Sequence, residues 1–127
     1  MNPHLAHGIE QFNAGDFFEC HDTLEDYWNE LGGDEKLFVQ GLIQAAVGCY
    51  HALNGNFRGA DSQFAKSLAK LERFVPERSG VELSEFVEQL RTCKRVSEKN
   101  LLTEGNEFPA DIIPHLTTVS PENGEQN

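Results

Sequence analysis

Between Leu37 and Phe57 the chain runs for 21 residues without a formal charge, and this stretch constrains the fold more than any other. As a helix it is long enough to cross a bilayer. Gln40, Gln44, His51 and Asn54 lie inside it, however, and polar side chains are costly in hydrocarbon. The stretch therefore predicts a helix buried in protein, the most buried of the molecule, with other helices built around it. Elsewhere apolar residues recur at helical spacing, and no segment shows the two-residue alternation of a half-buried strand. The expected class is all-α, with no sheet of three strands or more.

Glycine and proline punctuate five helices. The first is expected over Pro3–Asn13, with Leu5, Ile9 and Phe12 on one stripe and Pro3 in the first turn, where its missing N–H costs nothing. The second starts at Asp16, paired with Glu19 three residues on as in a capping box, and runs to Leu31 before Gly32-Gly33. The third covers Asp34–Asn54, with Gly55 beyond its end. The fourth spans Asn56–Phe74 and carries Phe57, Ala60, Phe64, Leu68 and Leu71 on one face until Pro76 stops it. The fifth spans Leu83–Lys99 and buries Leu83, Phe86, Val87, Leu90 and Cys93. Phe108-Pro109 and Ile112-Ile113-Pro114 then read as an extended C-terminal segment laid across the bundle.

An internal echo supports this layout. Gly15-Asp16-Phe17 and Gly55-Asn56-Phe57 repeat a pattern of glycine, cap and phenylalanine 40 positions apart, each marking a tight turn between helices. Two stacked helical hairpins follow, in a tetratricopeptide-like arrangement with a longer spacing than the usual repeat.

A length of 127 residues suits one core. We expect a single helical domain over residues 1–116 and a disordered tail over 117–127, because Ser120–Asn127 offers almost no apolar side chain for docking. The formal charge of −11 repels phosphate backbones and anionic lipid surfaces, so neither nucleic acid nor membrane is an expected partner. The imbalance sits in the first half: residues 1–63 carry ten acids against Lys36 and Arg58 alone. Cys20, Cys49 and Cys93 are odd in number and form no C-x-x-C pair, which speaks against a disulfide framework or structural zinc and for a reducing, cytoplasmic setting.

The candidate site lies on two polar stripes. At 100° per residue, Glu25 and Trp28 fall within about 40° of His21 on the second helix, flanked by Phe17, Phe18 and Leu24. This face is expected to turn inward, which would make Glu25 need a partner, because an ionised carboxylate leaving water costs several kcal/mol. On the third helix Gln40, Gln44 and His51 share a similar arc, opposite a core face of Phe38, Leu42, Ala45, Ala46, Cys49 and Leu53. Antiparallel packing of the two helices would gather His21, Glu25, Trp28, Gln40, Gln44 and His51 around one pocket.

These residues stand in a recognisable order. F-F-E-C-H-D-T-L-E-D-Y-W at 17–28, Q-G-L-I-Q-A-A-V at 40–47 and H-A-L-N-G-N at 51–56 resemble the family catalogued as domain of unknown function 309, over roughly residues 5–75. The family's H-[ED]-x-x-E-x-x-W core falls on His21, Asp22, Glu25 and Trp28, and its Q-G-x-x-Q on Gln40, Gly41 and Gln44. Asp22 stands where glutamate is common and Cys20 where alanine is common. The shorter reach of aspartate leaves Asp22 outside the leading candidates. The resemblance implies a helical bundle and no particular activity.

Three readings of the cluster stay open. It can be a polar network that sets the register of two helices, or a small-ligand pocket. Alternatively His21, Glu25 and His51 can ligate a divalent metal in a hydrolase-like enzyme, two imidazoles and one carboxylate being a set suited to zinc or non-haem iron. In the third, the hairpins form a protein-interaction module that offers a groove to a partner. Whether the chain is catalytic, which small molecule or protein it takes, and its oligomeric state are not legible. For a buried Glu25 the change Glu25→Gln is expected to cost on the order of 1 to 3 kcal/mol.

Overall fold

A computed structural model describes residues 1–119. It contains five α-helices, α1 (Pro3–Asn13), α2 (Phe17–Trp28), α3 (Gly33–Leu53), α4 (Phe57–Leu71) and α5 (Ser84–Thr103), with 3₁₀ turns at Glu72–Phe74 and Ala110–Ile112. Each α-helix packs mainly on its neighbour in sequence, so α1/α2 and α3/α4 are antiparallel hairpins and α5 closes on α4. The all-α expectation holds. Tetratricopeptide-like stacking of the hairpins remains an expectation of the sequence alone.

The starts and ends follow local chemistry. Pro3 opens α1, and Asn2 Oδ1 accepts from the His4 and Leu5 amides. The echoed glycines make two turns of the same form. Gly15 and Gly55 sit at φ of +82° and +78°, a region an L side chain occupies at a cost. After α1 the Asp16 amide reaches the Gln11 carbonyl and the Gly15 amide the Phe12 carbonyl; after α3 Asn56 reaches His51 and Gly55 reaches Ala52. This is the Schellman pairing, and in both turns its last residue is also the N-cap of the following helix. The caps then differ. Asn56 Oδ1 accepts from the Gly59 amide at 3.0 Å, whereas Asp16 makes no side-chain cap bond. The expected Asp16–Glu19 capping box is therefore not formed; the exposed Asp16 carboxylate is left to water.

Three boundaries differ from expectation. α2 stops at Trp28, and tight turns carry the Glu30 and Leu31 amides back to Tyr27 and Trp28 ahead of Gly32. α4 passes into the 3₁₀ turn at Leu71, while α5 runs on to Thr103. The expectation of no sheet also fails. Glu77–Arg78 (β1), Val81–Glu82 (β2) and Thr117–Thr118 (β3) form an antiparallel sheet in the order β1-β2-β3. Ser79 and Gly80, both at positive φ, make its hairpin turn, and two-residue strands are too short for alternation to be visible. Thr117 and Thr118, expected in the tail, are thus paired, and the Val119 amide donates to the Gly80 carbonyl; residues 120–127 of that tail lie outside the described residues.

α3 is the axis of the molecule, with ten buried residues against at most six on any other helix. Its approach to α4 is close because Gly41 and Gly48 face it. A Cβ at Gly48 would stand 2.6 Å from the Phe64 ring, and one at Gly41 2.7 Å from Leu71 Cδ2. Ser67, buried between them, donates to the Gly41 carbonyl at 2.7 Å. The C-terminal segment is tied down by Leu116, which is buried and exchanges two 2.8 Å hydrogen bonds with the Asn13 amide side chain. Among the described residues no helix is long and apolar enough to cross a membrane.

Candidate functional site

α2 buries Phe17, Cys20, Leu24 and Tyr27, not the stripe expected to turn inward. The two stripes are one residue apart, a rotation of about 100°. The observed choice avoids placing Glu25 in the core, which an ionised carboxylate tolerates poorly. Glu25 is exposed, with half its side-chain area in solvent. Its burial, and the need for a buried partner, are corrected. Tyr27 is core, while Phe18 is 55% exposed. On α3 the core face stands as expected except for Leu53, which lies at the helix end and is exposed.

Of the six residues expected around one pocket, His21 and His51 share a hollow between α2 and α3, and Glu25, Trp28, Gln40 and Gln44 are not among its walls. His21 is half-buried; its Nδ1 lies 3.3 Å from Asp22 Oδ1 and its Nε2 3.7 Å from Glu25 Oε2. Further along α2, Trp28 is half-buried under the Lys36 ammonium, which stands 4.1 Å from the ring centroid. Among the described residues Trp28 Nε1 and Gln44 Oε1 are buried without a hydrogen-bond partner. Gln40 stands one turn before Gln44, half-buried like it. His51 is held by the turn that follows it, with Nδ1 3.3 Å from Asn56 Nδ2; with Nε2 protonated, Nδ1 accepts that bond.

Two groupings result. The first is the group His21, Asp22 and Glu25, whose ligand atoms all lie within 4.8 Å of one another. His51 stands outside it, and Asp22, set aside on side-chain length, stands inside. The second is a groove of about 190 Å³ lined by Phe17, Phe18, His21, Val47, Tyr50 and His51. Its rings follow one another, with centroids 6.1 Å apart for His21–Phe18, 6.1 Å for Phe18–Tyr50 and 6.0 Å for Tyr50–His51. Tyr50, given no role from the sequence, is one wall. The signal was its place beside His51 and one turn after Val47, on the same side of α3.

The larger hollow, about 600 Å³ between α1 and the small sheet, holds none of the motif residues. The cysteines are not part of the groove. All three are buried free thiols; burial pushes Cys20 and Cys93 up to about 12, and Cys49 well above the ordinary thiol range, with its neighbours Cys93 and Cys20 adding to the rise. Such thiols stay protonated and act as packing.

Comparison with known proteins addresses the same face. Residues 5–62 match the model of the family described as Domain of unknown function (DUF309). The resemblance seen in the motifs is thereby shown, over a shorter stretch than the motifs suggested. Every groove residue lies inside the DUF309 match. "Uncharacterized protein YpuF" of Bacillus subtilis (strain 168) is 41% identical over 65 residues, 50% of this chain and 37% of that protein. An "Uncharacterized protein" of Aquifex aeolicus (strain VF5) is 26% identical over 89 residues, 67% of this chain and 27% of its own length. The chain thus matches well under half the length of these two relatives.

Proposed function

We propose that the DUF309 segment is a binding module whose site is the α2–α3 groove, with apolar walls for the body of a ligand and His21 as its polar contact. The observation that carries this is the convergence of His21 and His51, both on the sequence motifs, with Phe17, Phe18, Val47 and Tyr50 on one small hollow. Binding sites are concave and mainly apolar, with few polar groups. At about 190 Å³ the hollow suits a small molecule or one side chain of a partner. Titrating ¹⁵N-labelled protein with phenol tests it. Saturable shifts confined to the six lining residues are expected; shifts scattered over the surface would overturn it.

A second reading rests on the grouping of His21, Asp22 and Glu25: a divalent metal held by one imidazole and two carboxylates, with open positions for water. Calorimetry with Zn²⁺ and Mn²⁺ on wild type and His21→Ala tests it. Heat lost with the imidazole favours a metal; equal or absent heat in both removes it. The cytoplasm remains the location we propose, the free thiols being in keeping with a reducing compartment. The acidic charge supports a partner that is neither nucleic acid nor an anionic membrane.

A further inference from the structure

Resting on the groove as the binding site, we infer that it takes the lysine or arginine side chain of a basic, apolar segment of another protein. The cation would lie against the Phe18 and Tyr50 rings and its stem along Phe17 and Val47. Aromatic faces attract cations, and the attraction grows when carboxylates stand nearby and water is partly excluded. Phe18 and Tyr50 are 55% and 43% exposed, an unusual cost for two adjacent rings, tilted 45° to one another, unless something covers them. The carboxylates of Asp22 and Glu25 flank His21, which forms the next wall.

The molecule already makes such a contact on this helix. At the far end of the same α2 stripe the Trp28 ring carries the Lys36 ammonium at 4.1 Å. Among the described residues the cation–ring contacts involve Trp28 and Phe74, and none involves Phe18 or Tyr50. Charge points the same way. Residues 1–63 hold ten acids, and their two bases are Lys36, over Trp28, and Arg58, exposed at the start of α4. A basic partner meets little opposition here, and an acidic one meets a surface of its own sign.

A protein segment fits better than a free amine because the groove does not end at Tyr50. A second hollow of about 290 Å³ shares Phe17 as a wall and continues over Leu53 to Ile113 and Pro114. It provides room for an apolar side chain flanking the cation.

The experiment compares three probes on the full chain by NMR titration: a short leucine–lysine peptide, the same peptide with norleucine in place of lysine, and free butylammonium. The lysine peptide is expected to shift both hollows and to bind roughly 5- to 30-fold tighter than the norleucine peptide. Butylammonium should be weaker still and leave Leu53 and Ile113 unmoved. Phe18→Leu keeps an apolar wall and removes the ring; it should abolish most of the lysine preference, read as the ratio of the two peptides' affinities. Asp22→Asn with Glu25→Gln should act in the same direction. Phe18, Asp22 and Glu25 are all exposed, so the variants fold, and circular dichroism checks that they do. Equal binding of the two peptides in the groove would overturn the cation and leave the groove standing as a site. Tight butylammonium binding without the second hollow would make it a small-molecule site and overturn the protein segment. Light scattering that shows a dimer with Phe18 protected would make a second copy the occupant. Shifts from no probe in the groove would overturn both this inference and the binding module beneath it.

Discussion

The two long sides of α3 are built on opposite plans. Toward α4 the helix is notched by Gly41 and Gly48, Leu71 and Phe64 fill the notches, and Ser67 donates to the Gly41 carbonyl. Toward α2 it keeps bulk at the surface, with Val47, Tyr50 and His51 lining a hollow that α2 does not close. Close packing tolerates no added atom, whereas an open seam spends little stability on its residues. The difference teaches that motif residues of one helix can serve separate ends. Gly41, from the Q-G-x-x-Q motif, belongs to the α4 contact, while His51, from the later H-A-L-N-G-N motif, borders the α2 side.

Substitutions on the two sides should separate them. The largest effect is expected from Gly48→Ala. Alanine gains about 1 kcal/mol in helix propensity, but its methyl must displace the buried Phe64 ring, at about 2 to 3 kcal/mol of overpacking. A net loss of about 1 to 2 kcal/mol in urea unfolding is expected, and faster labelling of the neighbouring Cys49 by a thiol reagent should report the same loosening. A neutral or stabilised variant would mean that the α3–α4 contact has slack. Next comes Ser67→Ala, which removes the 2.7 Å bond to the Gly41 carbonyl. That carbonyl keeps its helix partner, so the loss should be about 1 kcal/mol. Phe18→Ser on the open side should move stability by no more than about 0.5 kcal/mol while ending phenol binding. Smallest of all, Glu25→Gln should fall within about 0.3 kcal/mol of wild type, because its 3.7 Å contact with His21 is exposed to solvent. A loss above 1 kcal/mol there would restore the buried network that the sequence suggested.

What the sequence disclosed depended on whether local chemistry or tertiary choice decided each feature. α1 begins and ends where Pro3 and Gly15 demand. The twin turns were legible because only glycine comfortably occupies their left-handed step. The facing of α2 was misread, although stripe 17-20-24-27 is apolar throughout and the neighbouring 18-21-25-28 carries His21 and Glu25, whose burial is costly. Weighting the motif above that cost turned the helix by about 100°. Of the six named residues His21 and His51 share the groove, and its aromatic wall of Phe18 and Tyr50 went unassigned, since exposure of a ring is set by what fails to cover it. β3 was beyond reach for a similar reason, being defined by a partner strand 36 positions away, as the pairing of Val81 with Thr118 and Glu82 with Thr117 shows.

The two glycine turns carry a consequence for how such a chain can vary. In each, the residue that completes the end of one helix is the residue that opens the next, Asp16 in one and Asn56 in the other. No residue is left over to absorb a change of length. A single inserted residue would split the two duties and swing the following helix by about 100°, unseating a whole face at once. Scanning insertions through the chain should therefore find the hairpins closed to lengthening at 14–16 and 54–56 and open to it around Gly105-Asn106, where the chain has left its last long helix. Length variation should then collect outside the paired hairpins.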